Sequence, residues 1–468
     1  MSAEAHFEQY LYLAEVTDRS ALFTWGGFFF WISGQHPLDG QDWKLVDDDD
    51  LKKIFPPRRN TIGAGSEAHD RGKGARVEVR DAANGNLVAE GKAAGGNHCW
   101  VSGLAPNTEY TYKVFVAGKE WGAGELRDWA VDGAFKGLRK SGRRYDNRFW
   151  TRPAVDAPTN LIFAVLGDYG RGVHETTSEE SRQREVAAAL ERAMNVGGAE
   201  RVRLVLTTGD NVYNHSSDDA GGTGNEDDDW FFTFYQPYRY IINRVPVYPT
   251  CGNHDDGETE ASDDRAQLYD NFYVNERFSG LQGLASINRG LFYRVKYGNN
   301  IEFICVDTSR RSKLATPYFE DHANLAFLNA AFPDSAANAP WRIPFCHHPP
   351  YCAGPLHSND THVQTKLVEP FCTRSGVRAF LSGHEHNFQY TKDKGIDFFI
   401  TGGGGDVRLK TPQKFLEAKT EAWGTGGHFL IVKIDGNQME IRPIGETADL
   451  PLKKPDGQKV DAPIVVTK

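Results

Sequence analysis

Five short segments of this sequence combine aspartate, histidine, tyrosine and asparagine in patterns that could bind metal ions. Each segment directly follows an apolar run that is typical of a buried strand. In an open α/β sheet, ligands bind beyond the carboxyl ends of the strands, so we expect the five segments to meet at one edge. They are Gly167-Asp168-Tyr169-Gly170, Gly209-Asp210-Asn211-Val212-Tyr213, Gly252-Asn253-His254-Asp255, His347-His348-Pro349-Pro350-Tyr351 and Gly383-His384-Glu385-His386.

The side chains in these segments have the chemistry of a site for two metals. Carboxylate and phenolate oxygens suit a trivalent or hard divalent ion, and imidazole suits Fe, Zn or Mn. Seven candidates are too many for one tetrahedral zinc ion, but they fit two ions that share a carboxylate oxygen and leave positions for water and substrate. The candidate metal ligands are Asp168, Asp210, Tyr213, Asn253, His347, His384 and His386.

Each segment taken alone has a simpler explanation. A Gly-Asp pair after a strand is often only a turn, and an Asn-His pair often caps a helix. A single histidine more often packs in a core than binds a metal, and short motifs also match by chance. The occurrence of all five segments after strand-like runs favours the metal site.

The five segments resemble, in the same order, the motif set of the purple acid phosphatases within the wider metallophosphoesterases. The stretches GDNVY, GNHD and GHEHNFQY are especially similar to the compact, mammalian-type members. The resemblance covers about Asn160 to Gly445, and the strand-rich segment before it is similar to the leading domain of the larger plant-type members. It implies that Asp168, Tyr213 and His386 hold a first metal, which is Fe(III) in this family.

The resemblance implies further roles at the same site. Asp210 would bridge the two metals. Asn253, His347 and His384 would hold the second metal, a divalent Fe, Zn or Mn ion.

Two histidines are predicted to be catalytic. By the same resemblance, His254 lies beside the leaving group and His357 contacts the phosphate, although His357 could equally be a histidine of a surface loop. The family pattern His-x-Pro-x-Tyr fits a ligand at His347. Because side chains alternate along a strand, we expect the neighbouring His348 to face away from the metals.

The activity implied is hydrolysis of phosphate monoesters. A metal-bound hydroxide would attack phosphorus in line, and His254 would protonate the departing alkoxide. A phosphodiesterase or phosphotriesterase on the same site is the alternative, because loop shape selects among phosphorus esters. A non-catalytic binding module is less favoured, because all seven ligand positions hold competent residues.

The chain of 468 residues exceeds what one hydrophobic core usually serves, which predicts two domains. Short strands and turns from Arg76 onward, including the hairpin signal Asn84-Gly85 and a fibronectin-like stretch VSGLAPNTEYTYKVFV, predict an all-β sandwich over residues 1–125. Residues 126–157 are predicted to be a connector. Alternating strands and helices over residues 158–468 predict an α/β catalytic domain, in which β-sheets are layered with helices.

Composition limits the partners. A formal net charge of -10 argues against a general nucleic-acid binder, so we expect a small phosphoester substrate, and the oligomeric state stays open. The apolar run from Ala21 to Gly34 is too short to span a bilayer, which indicates no membrane partner, and we expect a buried strand pair there. The amino terminus shows no secretory signal. We therefore expect a cytoplasmic protein, or a periplasmic or secreted one if a signal was removed.

The six cysteines contain no CxxC pair and no disulfide-dense spacing. Three of them, Cys251, Cys305 and Cys346, lie in or just after apolar runs, where cysteine usually acts as a small buried hydrophobic residue. Cys352 and Cys372 could pair, and the sequence leaves this open.

Overall fold

A computed structural model describes residues 4–33, 42–45, 74–94, 96–132, 135–173, 177–213, 230–255, 262–278, 290–310, 316–335 and 339–468. Within these residues, an all-β amino-terminal region precedes a region in which strands and helices are mixed. The predicted fold class, an all-β sandwich followed by an α/β domain, is therefore confirmed. The six cysteines are all free and buried, so Cys352 and Cys372 are not paired.

The amino-terminal region contains eleven strands in the described residues. They form two antiparallel sheets, ordered β1-β2-β3 with β6 beside β2, and β11-β7-β4-β5 with β8 beside β7, and a separate β9–β10 hairpin. The strands are β1 (Glu4–Val16), β2 (Ser20–Ser33), β3 (Asp42–Leu45), β4 (Arg76–Asp81), β5 (Leu87–Lys92), β6 (His98–Ser102), β7 (Glu109–Val116), β8 (Lys119–Glu120), β9 (Arg127–Asp132), β10 (Phe135–Lys140) and β11 (Arg148–Trp150).

The two sheets enclose an apolar core. Alternate residues of β4 and β7 are buried, as expected for strands with one face in a core. Leu13, Phe23, Val77, Tyr112 and Phe149 belong to one buried cluster that draws on both sheets. The region is thus a sandwich, and β11, which lies within residues 126–157, pairs with β7 of its second sheet.

The apolar run from Ala21 is one strand, so the expected strand pair is wrong. Residues up to Ser33 form the single strand β2, which pairs with β1 along its length, and Gly34 lies outside the described residues. The reason lies at Gly27, which does not turn the chain. A Cβ atom there would lie 2.0 Å from the carbonyl oxygen of Glu8, so glycine permits the close approach of β1.

The region after residue 157, which is predicted to be catalytic, forms two mixed sheets in the described residues. The first has the order β14-β13-β12-β22-β23-β26, and the second has the order β15-β16-β17-β18-β20-β19-β21-β24-β25. The strands are β12 (Leu161–Leu166), β13 (Val205–Thr207), β14 (Val247–Tyr248), β15 (Tyr293–Tyr297), β16 (Ile301–Cys305), β17 (Trp341–Phe345), β18 (Ala379–Ser382), β19 (Phe388–Asp393), β20 (Ile396–Thr401), β21 (Thr420–Gly424), β22 (His428–Asp435), β23 (Gln438–Gly445), β24 (Leu452–Lys453), β25 (Lys459–Val460) and β26 (Ile464–Thr467).

Short helices cover these sheets, and none among the described residues is long and apolar enough to cross a membrane. The helical residues before Asn243 form two short segments, one on each side of Pro237. The α-helices are Gln183–Met194, Arg239–Ile242, Ser262–Asn271, Val274–Arg277, Leu325–Ala331 and Phe415–Ala418. The 3-10 helices are Gly198–Glu200, Tyr318–Glu320 and His322–Asn324, and the π-helices are Phe231–Tyr235 and Val363–Cys372.

Strands β1 and β2 are buried on both faces. One face contributes to the sandwich core, and the other, including Tyr10 and Phe28, packs against Phe231 and Tyr235 of the catalytic region. The amino-terminal sheet is therefore also a layer of the α/β region that follows it.

Arginines neutralise the buried carboxylates at this contact. Glu15 is 5% exposed; it accepts hydrogen bonds from Arg152 and Tyr248, and its Oε2 lies 3.5 Å from Arg277 Nε. Glu8, on the same strand, lies 3.0 Å from a guanidinium nitrogen of Arg127. The contact between the two regions thus buries ion pairs as well as aromatic rings.

Candidate metal centre

The five predicted segments lie at the carboxyl ends of five strands. Strands β12, β13 and β14 run parallel in the first sheet and lead into the first three segments. Strands β17 and β18 run parallel in the second sheet and lead into the last two. The first and last segments are in direct contact, because the backbone N–H of His384 donates to both carboxylate oxygens of Asp168 at 3.0 Å.

Tight backbone packing brings the segments together. Asp168, Asp210 and His384 have positive φ angles of 54°, 51° and 72°. Such conformations cost on the order of 1–3 kcal/mol for residues other than glycine and are held only by surrounding structure. Two glycines provide the space, since a Cβ on Gly252 would lie 2.1 Å from Asp210 Oδ1 and one on Gly383 would lie 2.4 Å from Asp168 Oδ2.

One group of ligands surrounds the phenol of Tyr213. Its hydroxyl donates to Asp168 Oδ1 at 3.1 Å and lies 3.0 Å from His386 Nε2. One ligand atom from each of Asp168, Asp210 and His386 lies within 4.8 Å of the others. Two carboxylates, an imidazole and a phenol can therefore surround a single hard cation.

A second group surrounds the imidazole of His347. Its Nε2 lies 2.9 Å from Asn253 Oδ1, 3.1 Å from His384 Nδ1 and 3.3 Å from Asp210 Oδ2. Its Nδ1 donates to the carbonyl oxygen of Thr208 at 2.8 Å, which directs Nε2 into the group. Because Asp210 reaches both groups, the donors fit two cations that share this carboxylate.

His348 does not face away from this site, so that expectation is wrong. It is 6% exposed, its ring centroid lies 4.5 Å from that of His384, and a ring nitrogen lies within 4.8 Å of ligand atoms of His347 and His384. Strand β17 ends at Phe345, so the two histidines occupy a bend where side chains no longer alternate. The Nδ1 of His348 lies 3.1 Å from Thr308 Oγ1.

The two histidines predicted to be catalytic border the ligands. The His254 ring lies 4.7 Å from the Tyr213 ring, and its backbone N–H donates to Asp210 Oδ1 at 3.0 Å. The His357 ring lies 3.7 Å from the His384 ring. Burial lowers the pKa of His357 to about 4. Both rings are therefore beside the ligands.

The electrostatics of the site favour bound cations. Burial raises the pKa of Asp168 well above its usual value, and the neighbouring Asp210 raises it further. Burial alone would lower the pKa of His347, but the charge of Asp210 raises it to about 10. No lysine or arginine in the described part of the chain forms an ion pair with Asp168 or Asp210. Metal cations fit this buried negative charge and these donors.

Burial and both carboxylates raise the pKa of Tyr213 well above its usual value. Its phenol therefore keeps its proton unless a cation binds it.

Asp255 supports the site, and the sequence motif gave it no role. Its carboxylate accepts hydrogen bonds from the backbone and side-chain nitrogens of Asn211 and the backbone nitrogen of Gly252, each at 2.8 Å, and from that of Val212 at 3.2 Å. It thus ties the second segment to the third. Its place directly after Asn253 and His254 was the available signal.

Glu385 supports the opposite side and was also missed. It is fully buried between two ligand histidines, and its Oε2 accepts the backbone N–H groups of Leu356 and His357 at 3.1 and 2.8 Å. Arg408 donates to its other oxygen at 3.1 Å. Glu385 therefore holds the loop that carries His357.

Asp406 lies behind the first ligand group. Its Oδ2 is 3.6 Å from His386 Nδ1, the nitrogen that faces away from Tyr213. At this distance the carboxylate acts on the ring through its negative charge and not through a hydrogen bond. No motif in the sequence pointed to this residue.

Comparison with known proteins agrees with this geometry. Residues 161–388 match the Calcineurin-like phosphoesterase family. The pig tartrate-resistant acid phosphatase type 5 (Sus scrofa) is 26% identical over 301 residues, which cover 61% of this chain and 84% of the relative. Purple acid phosphatase 17 of Arabidopsis thaliana is 23% identical over 253 residues, which cover 53% of this chain and 68% of the relative.

Two solved structures share the fold over nearly the whole chain. One is a purple acid phosphatase from yellow lupin (Lupinus luteus) seeds, with a TM-score of 0.58 at 14% sequence identity. The aligned residues cover 99% of this chain and 74% of the lupin chain. The other is PhoD, with a TM-score of 0.59 at 15% sequence identity. The aligned residues cover 97% of this chain and 92% of the PhoD chain. The predicted resemblance is thus confirmed, and the chain is a phosphoester hydrolase with a calcineurin-like metallophosphoesterase domain and homologues named tartrate-resistant and purple acid phosphatases.

Proposed function

We propose that this protein hydrolyses phosphate monoesters at a centre that contains one Fe(III) ion and one divalent Fe, Zn or Mn ion. The observation that carries the proposal is the position of the Tyr213 hydroxyl, 3.1 Å from Asp168 Oδ1 and 3.0 Å from His386 Nε2. A phenolate beside a carboxylate and an imidazole is a donor set that favours a hard trivalent ion.

In this proposal, Asp168, Tyr213 and His386 would hold Fe(III), and Asn253, His347 and His384 would hold the divalent ion. Asp210 would contribute to both sites. When bound, the two ions supply a water of lowered pKa and offset the negative charge of the phosphate.

The residues of the chain then perform the remaining steps. His254 gives a proton to the leaving oxygen, and His357 donates a hydrogen bond to the phosphate. Glu385 and Asp255 keep the loops of these histidines in place through buried hydrogen bonds to backbone nitrogens. The substrate is a small phosphoester, because the ligand loops bind the phosphate locally on a chain whose net charge is -10.

The substrate class is tested with the metal-loaded protein and three nitrophenyl esters of phosphate, namely a mono-, a di- and a triester. We expect the monoester to give the highest kcat/KM. A higher value for the diester or triester would replace the proposed substrate class by the corresponding esterase. If none of the three is hydrolysed by protein that holds both metals, a binding function replaces the enzymatic one.

The ferric site is tested by colour and metal analysis. A phenolate bound to Fe(III) absorbs visible light by charge transfer, so the purified protein should be coloured, and Tyr213→Phe should remove the colour. Tyr169→Phe is the matched control, because Tyr169 is buried in the neighbouring segment and donates instead to Asn211, at 2.8 Å. A coloured Tyr213→Phe variant would exclude Tyr213 as the phenolate ligand.

The role of His254 is tested by the choice of leaving group. General acid catalysis contributes about 10²–10⁴-fold, and it matters most for a poor leaving group. We expect His254→Ala to slow hydrolysis of an alkyl phosphate by about this factor, and that of nitrophenyl phosphate far less, at unchanged metal content. If both esters slow equally, His254 orients the substrate, and His357 becomes the candidate acid.

A further inference from the structure

A cavity lined by arginines lies between the amino-terminal sandwich and the region that carries the metal ligands. It is a cavity of about 140 Å³, bounded by strand β11 on one side and by the loops before β13 and β14 on the other. Four arginines line it, and Trp150 forms part of its wall. They are Arg148, Arg201, Arg203 and Arg244.

The cavity is on the sheet edge opposite the metal centre. Arg203 and Val245 each line it two residues before a strand begins, β13 and β14 respectively. Asp210 and Asn253 follow the same strands at their other ends. Because β13 and β14 run parallel, the cavity and the metal ligands occupy opposite edges of the sheet.

Two buried donors in the wall have no acceptor among the described residues. They are Nη1 of Arg203 and Nε1 of Trp150. The guanidinium of Arg203 lies 4.2 Å above the Trp150 ring, and its Nη2 makes one long contact of 3.4 Å with Asn107 Oδ1. A buried donor without an acceptor is unfavourable, so both groups favour an added acceptor.

Carboxylates neutralise only half of the arginines. Arg201 donates to Glu109 at 2.7 Å, and Arg148 lies 3.3 Å from a carboxylate oxygen of Asp146. Arg203 and Arg244 form no ion pair with any carboxylate in the described parts of the chain.

Arg244 instead donates to neutral oxygens, to Asn195 Oδ1 at 2.9 Å and to the carbonyl oxygen of Tyr240 at 2.7 Å. Because two of the four arginines have no carboxylate partner among the described residues, the cavity has a surplus of positive charge.

We propose that this cavity binds a tetrahedral oxyanion of the size of phosphate, held by Arg203, Arg244 and the indole N–H of Trp150. The planar guanidinium group presents paired donors that match phosphate oxygens. A pocket of surplus positive charge in a protein of net charge -10 attracts anions locally. The site is separate from the metal centre and joins the two domains.

The test measures binding of radiolabelled inorganic phosphate to the metal-loaded full chain by equilibrium dialysis. We expect Arg203→Gln to bind one phosphate fewer per chain than the unaltered protein, or to bind it at least about 10-fold more weakly, because a hydrogen bond to a charged group is worth about 1.5–3 kcal/mol. Trp150→Phe keeps the ring and removes the donor, so it should weaken the same site by a smaller factor. Neither variant should change kcat for a monoester at low phosphate.

Arg139→Gln is the matched control. Its guanidinium also lies over an aromatic ring, that of Phe135 at 4.7 Å, but its side chain is exposed and remote from the cavity lining. It should bind phosphate like the unaltered protein. Acetate in place of phosphate should not compete, because it is planar and carries one charge. Equal stoichiometry and affinity in the unaltered protein, Arg203→Gln and Trp150→Phe would overturn the proposal.

Discussion

Buried carboxylates occur in two regions of this molecule with different neighbours. At the contact between the sandwich and the catalytic domain, Glu15 is surrounded by Arg152 and Arg277. At the metal centre, Asp168 and Asp210 face histidines, a tyrosine and each other. A carboxylate paired with arginine carries its counter-charge within the fold, whereas carboxylates among neutral donors take their counter-charge from bound cations.

The comparison separates structural acids from functional acids without reference to motifs. All of these carboxylates are almost fully buried, so burial alone does not distinguish them. The neighbouring side chains distinguish them. Arginine keeps its positive charge and so excludes a metal ion, whereas imidazole and phenol can give up a proton and bind a metal ion instead.

The largest expected effects come from removing one buried carboxylate in each of the two regions. Glu15→Gln leaves Arg152 and Arg277 as buried cations with no full counter-charge. We expect the free energy of unfolding to fall by about 3–5 kcal/mol, as is typical when one partner of a buried ion pair is removed. Asp210→Asn should instead release metal and abolish hydrolysis. Urea denaturation and metal analysis of both variants make the measurement.

Glu120→Gln is the control for the first effect. Glu120 accepts a hydrogen bond from Lys113 at 2.8 Å, but the pair lies at the surface, so its loss should cost less than about 1 kcal/mol. If Glu15→Gln lost its metals at unchanged stability, the distinction between the two kinds of carboxylate would fail.

His428 is a buried ionisable group, and among the described residues it has no hydrogen bond or ion pair to an arginine or a metal ligand. Its Nδ1 donates to the carbonyl oxygen of Gly426 at 2.9 Å, and burial lowers its pKa from 6.5 to about 4. Between these values the unfolded chain binds a proton that the folded chain does not. The free energy of unfolding should therefore fall by about 3 kcal/mol from this residue as the pH falls from 6.5 to 4.

His428→Phe removes this titration and keeps a ring of similar size. The variant should show a flatter dependence of the free energy of unfolding on pH over the same range. A dependence as steep as that of the unaltered protein would mean that His428 is protonated in the folded state.

The smallest effect concerns the two adjacent histidines of the fourth segment. Loss of a residue that only supports a ligand costs about 10–100-fold in metal affinity. We expect His347→Ala, which removes a ligand, to weaken binding of the divalent ion by more than about 100-fold, and His348→Ala, which removes a supporting residue, by about 10-fold. The reverse order, measured by titration with zinc, would make His348 the ligand.

The sequence predicted the parts of the site that are local. Each ligand segment follows a strand. A strand followed by a short polar segment is a pattern of about ten consecutive residues, so it can be recognised from the sequence alone. The expected direction of His348 failed because alternation applies only while a strand continues, and β17 ends before it.

Long-range partners could not be predicted in the same way. Glu15 meets Arg152 and Arg277 from distant parts of the chain, and the arginine cavity combines β11 with the loops before two later strands. A single Glu or Arg carries no local sign of its partner. The roles of Glu385 and Asp255 likewise depend on which backbone nitrogens the folded loops bring to them.

Burial of both faces of β1 and β2 limits where the chain can be shortened. Their aromatic residues belong to the same core as Phe231 and Tyr235, so the sandwich is not an independent attachment. A shortened chain that starts at Asn160 would expose Phe231 and Tyr235 to water and would leave Arg239 and Arg277 without the counter-charges of Glu8 and Glu15. The cooperative folding unit therefore includes the sandwich and is larger than the domain that carries the metal ligands.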